Sequence, residues 1–459
     1  MMKSYDRTTL LGTLAVLATS VVVTPALAAQ SGQLDTSFGS GGIAEIQIPG
    51  GVSTVAKVLE QSNGDILFAT ASATASTTPV STAQIGRLLS NGTLDTSFGT
   101  SGLAALSDAG MSVTQVDMQL QSNGDILVLG FVEQIIGSAE EAHPKFQRHG
   151  LLARFTTSGT LDTSFGSGGI VALTALGNTA STDTPTALLV QSNGLILVGD
   201  TVAGASSSTA FVIRLETNGS VDESFGDDDG DTALSGTDFI VGLAQQSDSK
   251  IIAIGEDDPA VAIRLLPNGT VDTDTAPGTV STANAEQDGG QPMTMQSNGS
   301  YITMLAGASE TQATFQLGRF TFDNAADTTF SSPSIAFGNS DSFSQVYGME
   351  LLPDGSAVAV GRLEVQVGER KFDQSFGIAR VLTNGELDTS FGTDGIVTTS
   401  FPSGTGAATA VTIQSDGNIV VGGVAVASSG TEEATIARYL SGTGKTSTST
   451  AAVQRIPGS

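Results

Sequence analysis

His143 and His149 are the only histidines of this chain, and both fall in "SAEEAHPKFQRHG" at Ser138 to Gly150, beside Glu140 and Glu141. Two imidazoles and a carboxylate are a set that could hold zinc. Their spacing fits no metal motif, and an exposed loop of mixed charge is the plainer reading. "FGDDDGDTA" at Phe225 to Ala233 gathers Asp227, Asp228, Asp229 and Asp231, the oxygen-rich chemistry that calcium prefers. Aligned on its glycine, an EF-hand loop would need an acid where Phe225 stands, and no glutamate closes it, so a solvated acidic turn is expected. Whether Asp227, Asp229 and Asp231 bind calcium stays open at this level. "GTGKT" at Gly442 to Thr446 ends like a phosphate-binding loop, but Tyr439 occupies the place of the first glycine.

Nucleophilic chemistry is poorly provided for. The chain has no cysteine, and no G-x-S-x-G elbow occurs. Carboxylate pairs assembled from distant segments remain open, since glycoside-cleaving enzymes build theirs that way. No catalytic, cofactor or metal site is therefore assigned from the sequence, and no cofactor is expected.

Lys3 and Arg7 precede an apolar run from about residue 9 to 23, followed by "TPALAAQ" at Thr24 to Gln30. The pattern predicts a secretory signal peptide over 1–28, cut after Ala28, because the run is short for a membrane span and small residues follow it. The expected location is secreted, periplasmic or cell-surface, without membrane insertion after cleavage. The formal charge is −28 with only 14% charged residues. Such a surface repels nucleic acid and anionic membranes, which argues against both as partners, and solubility is the plainer reason for the charge.

The elements that would position any site are repeated. "LDTSFG" stands at Leu34, Leu94, Leu161 and Leu387, with "VDESFG" at Val221. Its aspartate recurs at Asp35, Asp95, Asp162, Asp222, Asp272, Asp327 and Asp388. A "QSNGDIL"-like marker begins at Gln61, Gln121, Gln191, Gln246, Gln296, Leu352 and Gln414. An arginine flanked by apolar residues sits at Arg87, Arg154, Arg214, Arg264, Arg319, Arg380 and Arg438. Such a period signals stacked units rather than the two or three domains that length suggests.

Each unit reads as four strands: a short one after the glycine-rich motif, a second leading into "QSNG", a third such as "LILVG", and a fourth such as "AFVIRL". The Asn-Gly pair predicts a type I′ turn. Each of the first six arginines lies eight residues before an aspartate of the next motif, whereas Asp35 has no arginine before it and Arg438 has Thr446 in the aspartate's place. One leftover at each end is the mark of a ring cut once. The predicted fold is all-β: a seven-bladed β-propeller over 33–440, four antiparallel strands per blade, with a flexible tail over 441–459.

The aspartate is expected to take backbone N–H groups in a turn, the phenylalanine to wedge between sheets, and the arginine to pair with an aspartate of the adjoining loop, tying blade to blade. The motif loops and "QSNG" turns should share one uniform end of the ring. The other end should carry unequal connections, about 20 residues in blade two but only "EDDP" at Glu256 to Pro259 in blade four.

These motifs resemble the bacterial delta-60 repeat family, with its "LDxSFGxxG" opening, "QxDGKI" hairpin and arginine-bearing closing strand. The resemblance implies a β-propeller of exported or surface proteins with activity largely unassigned. "VDTDTAPG" at Val271 lacks the phenylalanine and "DTTFSS" at Asp327 lacks the glycine. The expected function is an exported, monomeric, non-catalytic scaffold binding an unknown protein or glycan through its variable loops. The alternative is an extracellular carbohydrate- or lactone-acting enzyme, with calcium in the channel as an option. Acidic side chains converging on the channel would favour the enzyme; small and hydroxyl side chains would favour the scaffold.

Overall fold

The computed structural model describes residues 31–442 apart from 50–51, 74–80, 109–110, 137–144, 174–181, 204–207, 227–228, 256–259, 275–277, 281–292, 297–299, 306–313, 322–324, 340–341, 370 and 427–429. Its strands form seven antiparallel blades, numbered here from the first complete one. Blade 1 comprises Val52–Glu60, Ile66–Ala73, Ser81–Leu88 and Leu103–Asp108; blade 2, Met111–Leu120, Ile126–Ile136, Lys145–Phe155 and Ile170–Ala172. Blade 3 holds Thr182–Val190, Ile196–Ala203, Ser208–Leu215 and Asp231–Leu234; blade 4, Ile240–Gln245, Ile251–Gly255, Ala260–Leu265 and Gly278–Val280. Blade 5 has Met293–Met295, Tyr301–Leu305 and Gln316–Phe320, its outer strand reduced to a Phe315–Ile335 bridge. Blade 6 is Ser342–Leu351, Ala357–Gly368, Lys371–Val381 and Ile396–Ser400.

Blade 7 closes the ring. Gly406–Ile413, Ile419–Val426 and Glu432–Tyr439 are completed by Ile43–Ile46 from the other end of the chain, with Ile43 opposite Ala437 and Ile46 opposite Ala434. The first strand of every blade is innermost, and these strands pack on one another in a closed circuit in which blade 7 meets blade 1. The short strand after each glycine-rich motif is therefore the outermost strand of the preceding blade, not the first strand of a new one. The repeat of the sequence and the blade of the structure are out of phase by one strand.

Middle strands such as Ile196–Ala203 are buried along most of their length because each blade is covered on both faces by its neighbours. The seams are filled by Val, Ile, Leu and Ala, with one apolar cluster per pair of facing sheets, for example Leu127, Leu129, Leu188, Ile196 and Val198 between blades 2 and 3.

The "QSNG" hairpins differ from expectation. Gly64 N–H donates to the Gln61 carbonyl at 2.8 Å, and Gln61 N–H donates to the Asp65 carbonyl at 2.8 Å. Gly64 has φ +84°, while Asn63 is absent from the residues with positive φ. This is a three-residue loop, a type I turn followed by a left-handed residue, rather than a type I′ turn. Asn63 instead receives the Asp65 N–H on its side-chain oxygen.

Candidate functional sites

The repeated motif is consumed by structure. Asp35 accepts the N–H and hydroxyl of Ser37 at 3.0 and 2.6 Å, the expected turn, and Asp95, Asp162, Asp222 and Asp388 do the same with Ser97, Ser164, Ser224 and Ser390. All seven arginines donate from Nε to the aspartate of the same blade, at 2.6 to 2.9 Å. The pair is thus internal to a blade, which corrects the expectation that it ties blades together. The tie is made by the guanidinium's other arm, which reaches a backbone carbonyl of the next blade: Arg87 to Thr157, Arg154 to Thr217, Arg214 to Pro267, Arg438 to Ser90. Where the motif phenylalanine is present it lies under the guanidinium at 4.4 to 5.0 Å. In blade 4, whose motif lacks that phenylalanine, Lys250 brings a second cation to Asp272 at 2.9 Å.

Of the sequence candidates, His143, Glu140, Glu141, Asp227 and Asp228 lie outside the described residues. His149 is not in a loop with His143. It stands on the strand Lys145–Phe155 opposite Val132, because most of the expected 20-residue connection folds into the hairpin ladder. Asp229 is an exposed turn residue and Asp231 opens an outer strand opposite Ile213. Among the described residues no group of three metal-ligating side chains converges.

The innermost strands carry an arrangement that periodicity did not reveal. In six of them the ladder skips one residue at the same height: Ala56, Val116, Thr186, Val241, Tyr347 and Thr409. Such bulges re-aim the side chains beside them. Next to two of these bulges, Lys57 of blade 1 pairs with Asp117 of blade 2 at 3.0 Å. Asp117 also accepts the N–H of Met118 and, at 3.3 Å, that of Leu188 in blade 3. Glu350 of blade 6 lies within electrostatic reach of Lys57, although blade 7 separates their sheets, so the three groups face one another around the axis. Asp117, and secondarily Glu350, hold the Lys57 ammonium above its ordinary range against the cost of burial. Burial pushes the Glu350 carboxyl up, opposed by Lys57 and the Leu351 N–H. The axis matches neither expectation cleanly: two acids and a lysine face one another there, whereas Ala187 and Ala410, at the places of Lys57 and Asp117 in blades 3 and 7, are buried in the apolar seams.

Blade 6 adds a polar group on its face toward blade 7. Gln345 Oε1 accepts from the Tyr347 hydroxyl at 2.6 Å and from Arg362 at 3.0 Å, while Glu364 accepts from Gln374 at 2.9 Å. Burial raises the Tyr347 phenol, with Arg362 opposing and Glu364 adding. Above it rises a long hairpin, with strands of 12 and 11 residues, comparable to the 11 and 11 of blade 2 and longer than the 8 and 8 of blades 1, 3 and 7. The latter difference is roughly 10 Å of extra strand. Val367 and Phe372, flanking its turn, are 50% and 47% exposed.

The family model described as "Domain of unknown function (DUF5122) beta-propeller" matches residues 147–165, 191–225, 246–274, 367–391 and 414–444. No curated protein matches the chain. Among solved structures it is similar to a NanB sialidase from Streptococcus pneumoniae, with 10% identity over 87% of this chain and 70% of that one, TM-score 0.39. A Trypanosoma rangeli sialidase in complex with sialic acid has 11% identity over 75% of this chain and 57% of that one, TM-score 0.45. A PL25 ulvan lyase has 9% identity over 69% and 77%, TM-score 0.42. The chain thus matches, in part, a β-propeller repeat family whose function is unassigned.

Proposed function

We propose that this chain is an exported, non-catalytic β-propeller scaffold of the delta-60 repeat kind, which binds a protein or glycan partner through the end of the ring opposite the repeated motifs. The observation carrying this reading is the inequality of the two ends. At one end the recurring Asp, Arg, Phe and Gly are spent on internal contacts; at the other, the blade 6 hairpin lifts Val367 and Phe372 beyond its shorter neighbours. Exposed apolar residues on a stiff ladder, over a polar base of Tyr347, Arg362 and Glu364, suit recognition by a surface held rigid before contact. Export rests on the signal-peptide pattern over 1–28.

The test is an array of immobilised acidic and neutral glycans probed with the mature chain and with V367D/F372D. Binding that falls on the order of tenfold in the double variant, with its melting temperature unchanged, supports the reading. Release of new reducing ends or unsaturated sugars from any arrayed polysaccharide would replace the scaffold with an enzyme, for which Lys57, Asp117 and Glu350 are the axial groups to substitute first.

A further inference from the structure

In two seams the N–H of the second residue of a "QSNG"-type turn is taken by a side chain of the next blade. In the seam between blades 7 and 1, Glu60 takes the Ser415 N–H at 2.6 Å, the Ser415 hydroxyl at 3.4 Å and the Gln414 side-chain amide at 3.1 Å. Between blades 3 and 4, Gln245 takes the Ser192 N–H at 2.9 Å. Glu60 and Gln245 both immediately precede the "QSNG" or equivalent marker of their own blade.

In the seam between blades 2 and 3 the corresponding residue is Val190, which offers no acceptor and is the shortest of the apolar residues at this place, the others being Leu120, Met295, Leu351 and Ile413. There a cavity of about 710 Å³ opens over the turn, lined by Gln121, Ser122, Val190, Arg154 and the amides of Asn193 and Asn218 among others. Among the described residues, neither the N–H nor the hydroxyl of Ser122 is engaged, and the Gln121 side-chain amide donates to no group. Gln121 and Ser122 stand where Gln414 and Ser415 hold the Glu60 carboxylate. The chain's own Glu60 is therefore a bound example of what this cradle holds.

We infer that the cavity between blades 2 and 3 is a receptor for a carboxylate-bearing sugar, a uronate residue of an acidic glycan. Its carboxylate takes the place Glu60 fills elsewhere, with Ser122 N–H, Ser122 Oγ and Gln121 Nε2 as donors; charge-assisted bonds of this kind are about twice as strong as neutral ones. The surrounding amides and hydroxyls suit the ring hydroxyls of a sugar. Arg154 supplies local positive charge, already shared with Asp162 at 2.8 Å, and Asp125 is engaged by Asn123 at 2.7 Å. The repulsion of a net charge of −28 is confined by salt to about a Debye length, roughly 8 Å at physiological ionic strength. This site lies on the opposite end of the ring from the blade 6 hairpin and stands or falls separately.

Calorimetric titration of the mature chain with D-glucuronate tests it. One site is expected, absent with D-glucose. V190E supplies the missing carboxylate from within and should abolish the site while keeping the native melting temperature or raising it. S122P removes the N–H at a turn position where blade 6 naturally carries Pro353, and should weaken binding roughly tenfold or more. E60V empties the other cradle and should raise the stoichiometry from one to two. Equal binding to glutarate would overturn the sugar assignment, and undiminished binding by folded V190E would overturn the site.

Discussion

Two classes of aspartate set the response of this protein to pH. The motif carboxyls are held below the ordinary aspartate range: Asp95 first by the Ser97 hydroxyl, Asp35 by Ser37 and Arg438 despite the opposing effect of burial. Their stabilisation is present above about pH 3.8 and is lost as pH falls through their lowered values. Asp200 is the reverse. It is 2% exposed, on the same face of blade 3 as the equally buried Asp183, and burial followed by the Asp183 charge pushes it up to about 7. A raised acid contributes stability that is complete below its unfolded value and is lost as pH rises through about 7. Wild-type protein should therefore lose on the order of 2 to 3 kcal/mol between about pH 5 and about pH 8 from this group. Asp200→Asn should flatten that limb in urea titrations; an unaltered pH profile would show that the Asp200 charge is not the cause. None of this was legible beforehand, because Asp183 and Asp200 are 17 positions apart in a Thr-rich stretch and meet only through the hairpin register.

At the scale of the element, the turns were located by sequence but their geometry was not. Five "QSNG"-type hairpins place glycine at φ between +84° and +92°: Gly64, Gly124, Gly194, Gly355 and Gly417. Blade 4 writes "QSDSK", and Ser249 takes the same left-handed conformation at φ +67°, its N–H bonded to the Gln246 carbonyl. A residue with a Cβ costs about 1 to 2 kcal/mol there, of which glycine's greater unfolded-state entropy returns part. Ser249→Gly should stabilise the protein by about 0.5 to 1 kcal/mol in chemical denaturation; a lower midpoint would mean the serine makes a contact worth more than the strain. The phase of the blades was misjudged for a related reason. Local pattern marks where a strand is, but nothing local says whether the short strand pairs backward or forward. Pairing backward satisfies its backbone on the third strand of the preceding blade, as Leu103 to Leu106 do on Ala83 to Gly86.

At the scale of the molecule, closure joins the two ends of the repeat array. Arg438 binds Asp35 at 2.9 Å and Ser90 at 2.6 Å, the Asp35 N–H donates to the Arg438 carbonyl at 2.8 Å, and Ser31 stands in for a turn residue by accepting the Gly392 N–H at 3.0 Å. Removal of residues 31–46 would bare the edge of Glu432–Tyr439 and leave Arg438 buried without its carboxylate. A lost partner of a buried pair costs about 3 to 5 kcal/mol, and an open edge invites pairing between molecules. The truncated chain should melt well below the parent and run as aggregates in size-exclusion chromatography; a monomer with the parental melting temperature would place closure elsewhere.

Repetition at short range is what the chain alone determined: seven units, the turn at each aspartate, the arginine partnered to it, and a ring rather than a rod, because a periodic pattern with one leftover at each end has a single closed solution. Only the tertiary structure decided which blade each strand completes, which arm of an arginine crosses a seam, and which unlike residues meet. Lys57 with Asp117, Glu60 with Ser415 and Asp183 with Asp200 are brought together by bulges, seams and register, and those depend on distances between strands that no stretch of sequence contains.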